Sequence, residues 1–286
     1  MSVFTWTYYH QVAKVKFGKN INIMVCGDSH TESAVNDEIL QHSINISHSS
    51  EPYFYTYNVI KTLINNNPRI NTIIMGYSFH SLSGSYDVAI FKEEFTKTMY
   101  PDYLPILDAR SISTLVSKNI YGISRSIPNV LKNMFYSILN KPSNVASYPF
   151  IGHYYKSRNS NINDSTINKA IMRHYYKKDS AECEFSAIQE EYLKQIIQFC
   201  NNRNIKLILL STPVSKGYYD KIPIKFVNNY YLKASEFKQQ ANLLDLHDLK
   251  LSKECYGDGD HINEYGAKIL TTKLDSLLIR PLNDLH

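Results

Sequence analysis

The chain has 286 residues, 43% of them hydrophobic and 20% charged, with a formal net charge of +5. That length can bury a full core and the composition is that of a globular protein. The basic residues are scattered rather than gathered, so the charge does not call for nucleic acid. No apolar run approaches the roughly 20 residues that a bilayer-crossing helix needs, so no transmembrane segment is expected.

In chain order, Met1 to Asn20 lacks the charged lead, long apolar core and small-residue cleavage site of a signal peptide. As written, the sequence predicts a cytoplasmic protein; a secreted form trimmed of its leader is the open alternative. Ile21 to Cys26 is apolar, ends at Gly27 and suits a buried strand. Thr31 to Leu40 can form a helix, and Ile44 to Ser47 a short second strand. Tyr53 to Asn66, opened by Pro52, places Phe54, Tyr57, Ile60, Leu63 and Ile64 at helical spacing. Ile70 to Met75 is a third buried strand, stopped by Gly76. Strand–helix–strand–helix–strand is the pattern of a parallel sheet with crossover helices, and functional groups collect beyond the carboxyl ends of such strands. Ser29, Ser49 to Glu51 and Gly76 to His80 all fall at that edge.

Residues 85 to 180 break the rhythm, punctuated by Pro101, Pro105, Pro128, Pro142 and Pro149. Thr114 to Leu139 has helical patches, and Tyr148 to Asp164 is polar, aromatic and loop-like. The pattern predicts an insertion or cap within a single domain spanning 1–286, with an ordinary extension of the fold as the alternative. Alternation then returns: a helix over Phe185–Asn202, a strand over Lys206–Leu210, a helix over Asn228–Gln240, a strand over Leu243–Leu246 and a closing helix over Asn263–Leu278. The expected fold class is α/β, a three-layer α/β/α sandwich around a parallel sheet.

A serine becomes a nucleophile at neutral pH only with a base beside it, and needs donors for the charge on the tetrahedral intermediate. Ser29 sits where the first strand turns into a helix. His261 is the candidate base, and Asp258, three residues earlier, can fold back to orient the imidazole. Asp260, adjacent to His261, is expected to point elsewhere, with orienting the imidazole in place of Asp258 as its alternative. Asp28 is expected to support the turn and His30 to lie on the surface or behind the site, with lining the pocket as the alternative. Glu51 is expected to cap the following helix. Cys26, Cys183, Cys200 and Cys255 show no metal-type spacing and are expected to be buried thiols. Tyr154-Tyr155, Tyr175-Tyr176, Tyr218-Tyr219 and Tyr230-Tyr231 could stack on sugar rings or simply pack. No Gly-rich phosphate loop and no metal cluster stands out, so no cofactor is expected.

Gly27-Asp28-Ser29-His30 near the start and Asp258-Gly259-Asp260-His261-Ile262-Asn263-Glu264-Tyr265-Gly266 near the end resemble the two outer blocks of the SGNH (GDSL-like) hydrolase superfamily. The resemblance implies a flavodoxin-like α/β/α fold with a serine esterase or acyl-transfer site. It implies Ser29 as nucleophile and oxyanion donor, with Asp258 and His261 completing a triad. The middle blocks depart from the family: Ser49-Ser50 stands where a glycine is usual, and Gly76-Tyr77-Ser78-Phe79-His80 where Gly-x-Asn-Asp is usual. The backbone of Ser50 can serve the oxyanion from the second block, and His80 or Ser78 could replace the missing asparagine. The function so implied is hydrolysis of an O-acyl ester, O-acetyl foremost, on a carbohydrate or small molecule. Glycan O-acyl transfer through the same triad, and a non-catalytic glycan- or protein-binding module on the same fold, are the alternatives.

Overall fold

A computed structural model of the chain describes residues 15–139 and 152–279. The expectations for the leader region before residue 15, and for Pro142 and Pro149, lie outside them.

Among the described residues five strands form one sheet: β1 (Ile23–Cys26), β2 (Ser43–Asn45), β3 (Thr72–Gly76), β4 (Lys206–Ser211) and β5 (Asn242–Asp245). All neighbours are parallel and the order is β2-β1-β3-β4-β5, the flavodoxin-like arrangement. The strands read as continuous apolar runs because both faces are covered. Met24, Cys26, Ile73, Met75, Leu207 and Leu209 join one apolar cluster. Val25, Ile74, Ile208 and Leu210 join the other. The first cluster is closed by helices α2 (Tyr53–Ile64), α7 (Ala187–Asn202) and α9 (Ile224–Phe237), through Phe54, Leu63, Leu193, Ile196 and Phe226. The second is closed by α1 (Ser29–Ala34) and α10 (Glu264–Ile279), through Ala34, Ala267, Leu270 and Leu274. The result is a three-layer α/β/α sandwich.

Element boundaries differ from expectation where tertiary contacts intervene. The first helix starts at Ser29 and ends at Ala34, well short of Leu40. Asn36 stops it: its side chain accepts from Glu38 N at 2.9 Å while Thr271 Oγ1 accepts from Asn36 N at 3.0 Å. Helix α9 starts four residues before Asn228, directly after Pro223.

The rhythm-breaking middle is largely helical. It holds α3 (Ser85–Phe91), α4 (Glu93–Tyr103), α5 (Ala109–Leu139, with non-helical backbone at Asn119) and α6 (Asp164–Tyr175). Buried Ile90, Tyr100, Tyr103, Leu115 and Ile171 join the same apolar cluster as α2 and α7. Residues 152–163 run as a loop along the carboxyl edge of the sheet. Gly152 N donates to Ile46 O at 3.1 Å, Tyr155 N to Glu32 O at 2.9 Å and Asn161 N to Gly257 O at 2.9 Å. A short helix α8 (Lys216–Tyr219) follows β4. The four cysteines are buried free thiols.

Candidate active site

The switch point of the sheet lies between β1 and β3, and ligands of such folds sit beyond the strand ends there. Gly27 makes the turn out of β1 at φ +141°; a Cβ on it would stand 2.5 Å from Thr31 Oγ1 and 3.1 Å from Gly76 N. Asp28 then caps α1, its Oδ1 accepting from His30 N at 2.9 Å, and Ser29 opens the helix.

The other half comes from the loop before α10. Asp258 Oδ1 accepts from His261 N at 2.8 Å and Asp260 N at 3.1 Å, and Gly257 N donates to His261 O at 2.9 Å, so the loop folds back on itself. Asn263 fixes its exit by accepting from Tyr265 N at 3.0 Å and Gly266 N at 3.3 Å. This brings His261 Nε2 to 2.8 Å from Ser29 Oγ, across 232 residues of sequence. His261 Nδ1 lies 3.0 and 3.2 Å from the two oxygens of Asp258. With Nδ1–H donated to a carboxylate, Nε2 is left to accept the serine proton.

No family model matches the sequence, and no curated protein matches it. Among solved structures, one from Bacteroides fragilis, described provisionally as an acylhydrolase, is similar over 98% of this chain and 100% of its own. The two share 13% sequence identity and superpose with a TM-score of 0.41, a likeness that carries no argument for either fold or function.

Asp260 does not point away. It is 1% exposed, with Oδ1 3.6 Å from His261 Nδ1 and Oδ2 accepting from Arg173 Nη2 at 2.8 Å. The tight loop curls both carboxylates toward the same imidazole. Burial alone would lower the His261 pKa, but the Asp260 charge and the Asp258 hydrogen bond overcome it and hold it raised. Burial alone would raise the Asp260 carboxyl; His261, His30 and His174 around it keep it well below the usual carboxylate range.

His30 is 2% exposed and lies beneath the site, its ring centroid 4.6 Å from that of His261. Its Nε2 is 3.4 Å from Asp260 Oδ2, an ion-pair distance without hydrogen-bond alignment. Asp28 Oδ2 is held by His80 Nε2 at 3.3 Å and by the Tyr86 hydroxyl. Burial would raise this carboxyl, yet His80, His30 and Tyr86 hold it far below its ordinary value.

Among the second- and third-block candidates, Ser50 and His80 line the same cleft as Ser29 and His261, together with Tyr86, Arg173 and His174. Ser78 is buried in the turn after β3, its N–H donated to Ser81 Oγ at 2.8 Å, and is not a wall of that cleft. Ser50 has φ +61°, the left-handed conformation that glycine adopts readily. Glu51 is not a cap. It turns inward, 3% exposed, and accepts from Thr56 Oγ1 at 2.7 Å and from Tyr103 OH. Burial pushes its pKa up to about 8.

Arg173, His174 and Tyr86 escaped the sequence reading because α3 and α6 reach the site only through tertiary packing. Three histidines, His30, His80 and His174, thereby gather within reach of one ion. Their geometry does not suit one: the His80 and His174 rings stack with centroids 3.9 Å apart at 9°, so their in-plane lone pairs lie in nearly parallel planes and do not converge on one point. A second grouping, His30, Asp260 and His261, draws on residues already committed to the Ser29 site.

Each tyrosine pair buries its first ring: Tyr154, Tyr175, Tyr218 and Tyr230 are 9% exposed or less. Tyr155 is 55% exposed and lines a second cleft that also includes Ser29 and His261.

Proposed function

We propose that the protein is a serine esterase of the SGNH type, acting on a small O-acyl ester, O-acetyl foremost, carried by a carbohydrate. The observation that carries this is the contact chain from Ser29 Oγ to His261 Nε2 at 2.8 Å and from His261 Nδ1 to Asp258 at 3.0 Å. Both distances lie within the range of a nucleophile–base–orienter array.

In the reaction, His261 Nε2 takes the Ser29 proton as Oγ bonds to the acyl carbon. Asp258 and Asp260 stabilise the imidazolium that forms. The intermediate collapses as the ester C–O bond breaks, and His261 returns the proton to the leaving alcohol. Water then attacks the acyl-enzyme, giving its proton to His261, which passes it to Ser29 as the carboxylic acid leaves. Backbone N–H groups of Ser29 and Ser50 serve the oxyanion. The cleft holding Ser50, His80 and Arg173, about 250 Å³, is small for an acyl site and fits a short acyl group.

The test is labelling by a serine-directed fluorophosphonate together with hydrolysis of a short acyl ester. Labelling and turnover that both vanish in Ser29→Ala support the proposal. An unlabelled, well-folded wild type without esterase turnover sinks it and favours a binding module. Glycan O-acyl transfer is the second reading, favoured by the additional cleft at Ser29, where an acceptor alcohol has room in place of water. Acyl product on an added glycan, formed at the expense of free acid, separates it from hydrolysis.

A further inference from the structure

Ser29 and His261 stand at the junction of two clefts of different chemistry. The first holds Ser50, Arg173, His80 and His174. The second, about 430 Å³, is walled by the 152–163 loop and the 257–262 loop. A tetrahedral intermediate on Ser29 has three further substituents to place: the oxyanion, the acyl chain and the alcohol oxygen. The proposed donor Ser50 faces only the first cleft, which puts the carbonyl oxygen there. That cleft is the smaller and takes the acyl chain with it. The alcohol is left to the second cleft, which Ser29 also lines, so that His261 Nε2 can protonate the departing oxygen.

We infer that this second cleft is an alcohol subsite for a neutral, polyhydroxylated group, a neutral sugar ring, with Tyr155 as its platform and Asn159 and Asn161 as its polar readers. The inference rests on the esterase proposal and names the half of the substrate that proposal leaves general. Three features carry it. Tyr155 is 55% exposed, yet its backbone is tied to Glu32 O at 2.9 Å, so the ring is presented beside Ser29 on a fixed strut. An exposed but anchored aromatic offers flat apolar area at low entropic cost, which the apolar face of a sugar can cover.

Secondly, Ser33, Ser157, Asn159, Asn161 and Thr166 line the cleft with hydroxyl and carboxamide groups; Ser33 and Thr166 donate to Ser29 O and Asn161 O, which leaves donation to a hydroxyl-rich ligand to Ser157, Asn159 and Asn161. The loop bearing Ser157, Asn159 and Asn161 is fixed: Glu264 N donates to Ser157 O at 2.7 Å and Asn263 Nδ2 to Asn159 O at 3.3 Å. Thirdly, the charge on this side is negative. Glu32 and Asp258 line the cleft, and no lysine or arginine does so among the described residues, whereas Arg173 lies on the acyl side. A phosphate or uronic acid in the second cleft would meet two carboxylates with no lysine or arginine to offset them, which selects the neutral ring.

The test compares three acetyl esters on the full chain: ethyl acetate, a mono-O-acetyl methyl glucoside and its glucuronate counterpart, with acid release followed by pH-stat. The glucoside is expected to exceed the glucuronate in kcat/KM by about tenfold, since like charges placed together cost several-fold or more. In Tyr155→Ala and Asn159→Ala, the ratio of glucoside to ethyl acetate kcat/KM is expected to fall about tenfold and about threefold, as loss of stacking and hydrogen-bonding contacts predicts. Unchanged ratios, or preference for the glucuronate, overturn the inference while leaving the esterase proposal standing. Should no ester be hydrolysed, saturation-transfer NMR of methyl glucoside decides separately. Binding that weakens in Tyr155→Ala supports the subsite, and absence of binding overturns it.

Discussion

Replacing Asp260 by Asn tests whether the buried carboxylate, and not Asp258 alone, sets the basicity of His261. Asp260 Oδ1 is 3.6 Å from His261 Nδ1. Unit charges at that separation interact by about 2 to 5 kcal/mol for an effective dielectric of about 20 to 40. Arg173 Nη2, 2.8 Å from the other oxygen, offsets much of this. A net loss of about 1.4 kcal/mol is expected, which is about one pKa unit. The sign is fixed by the structure: His261 is raised, chiefly by Asp260 against the pull of burial, so removing the charge lowers it. A base must be neutral to work, so the acidic limb of kcat/KM for Asp260→Asn moves to lower pH by about one unit. The less stabilised imidazolium should also reduce kcat about tenfold. Arg173→Met removes the offsetting cation and should move the limb the opposite way. Asp258→Asn should cost more in kcat, about a hundredfold or beyond, because it removes the group that fixes the tautomer. The assays are a pH–rate profile on a short acetyl ester and the NMR titration of His261 in a Ser29→Ala background, with thermal melts to confirm folding. If Asp260→Asn leaves both the limb and the NMR titration in place while Asp258→Asn shifts them, the buried carboxylate has no part in tuning the base.

Three further outcomes can be measured on the same protein. Ser50→Gly should raise stability by up to about 1 kcal/mol, since Ser50 holds φ +61°, and should retain turnover because the backbone N–H is kept; lower stability and lost turnover would assign the work to the hydroxyl. Glu51→Gln should flatten the pH dependence of unfolding. The folded carboxyl is raised to about 8, so its contribution is full below the ordinary glutamate range and is lost as pH rises through about 8, a few kcal/mol in all. Urea unfolding of both proteins at pH 5 and pH 9 reads this, and parallel losses in the two would contradict it. His80→Ala should lower kcat by less than the hundredfold that follows removal of an oxyanion donor; a larger loss, with the fold intact, would make its ring a donor after all.

The sheet was legible because a buried parallel strand leaves a plain mark: a short apolar run ended by a turn residue. Each of the runs Ile21–Cys26, Ile70–Met75 and Lys206–Leu210 contains or overlaps a strand of the sheet. The ends were less legible, because what stops α1 is a partner hydroxyl, Thr271, on the last helix. Ser29, His261 and Asp258 were legible through two local blocks and the edge at which the strands deliver them. Asp260 was misjudged because adjacency to His261 is a statement about an extended chain, and this loop is wound by Asp258 accepting two backbone N–H groups. Glu51 was misjudged because the cap rule looks along the chain. The carboxylate instead follows Tyr103, a partner in the helical segment that the sequence left as an insertion.

The departure in the third block can be followed to a chemical consequence. An asparagine after β3 would bring an amide that is always a donor. His80 brings a ring whose role depends on its proton. Burial lowers its pKa, against the pull of Asp28, and so favours the neutral ring. Its Nε2 faces the ionised Asp28 at 3.3 Å and therefore carries the hydrogen. Nδ1 is then an acceptor, unable to donate to an oxyanion without a second proton. The same Asp28 caps the helix that presents Ser29, through His30 N at 2.9 Å. One carboxylate thus holds the turn that presents Ser29 and also takes the hydrogen of the His80 ring. On the esterase proposal, charge on the intermediate is then left to backbone N–H groups, that of the left-handed Ser50 among them, and to Arg173 in the same cleft.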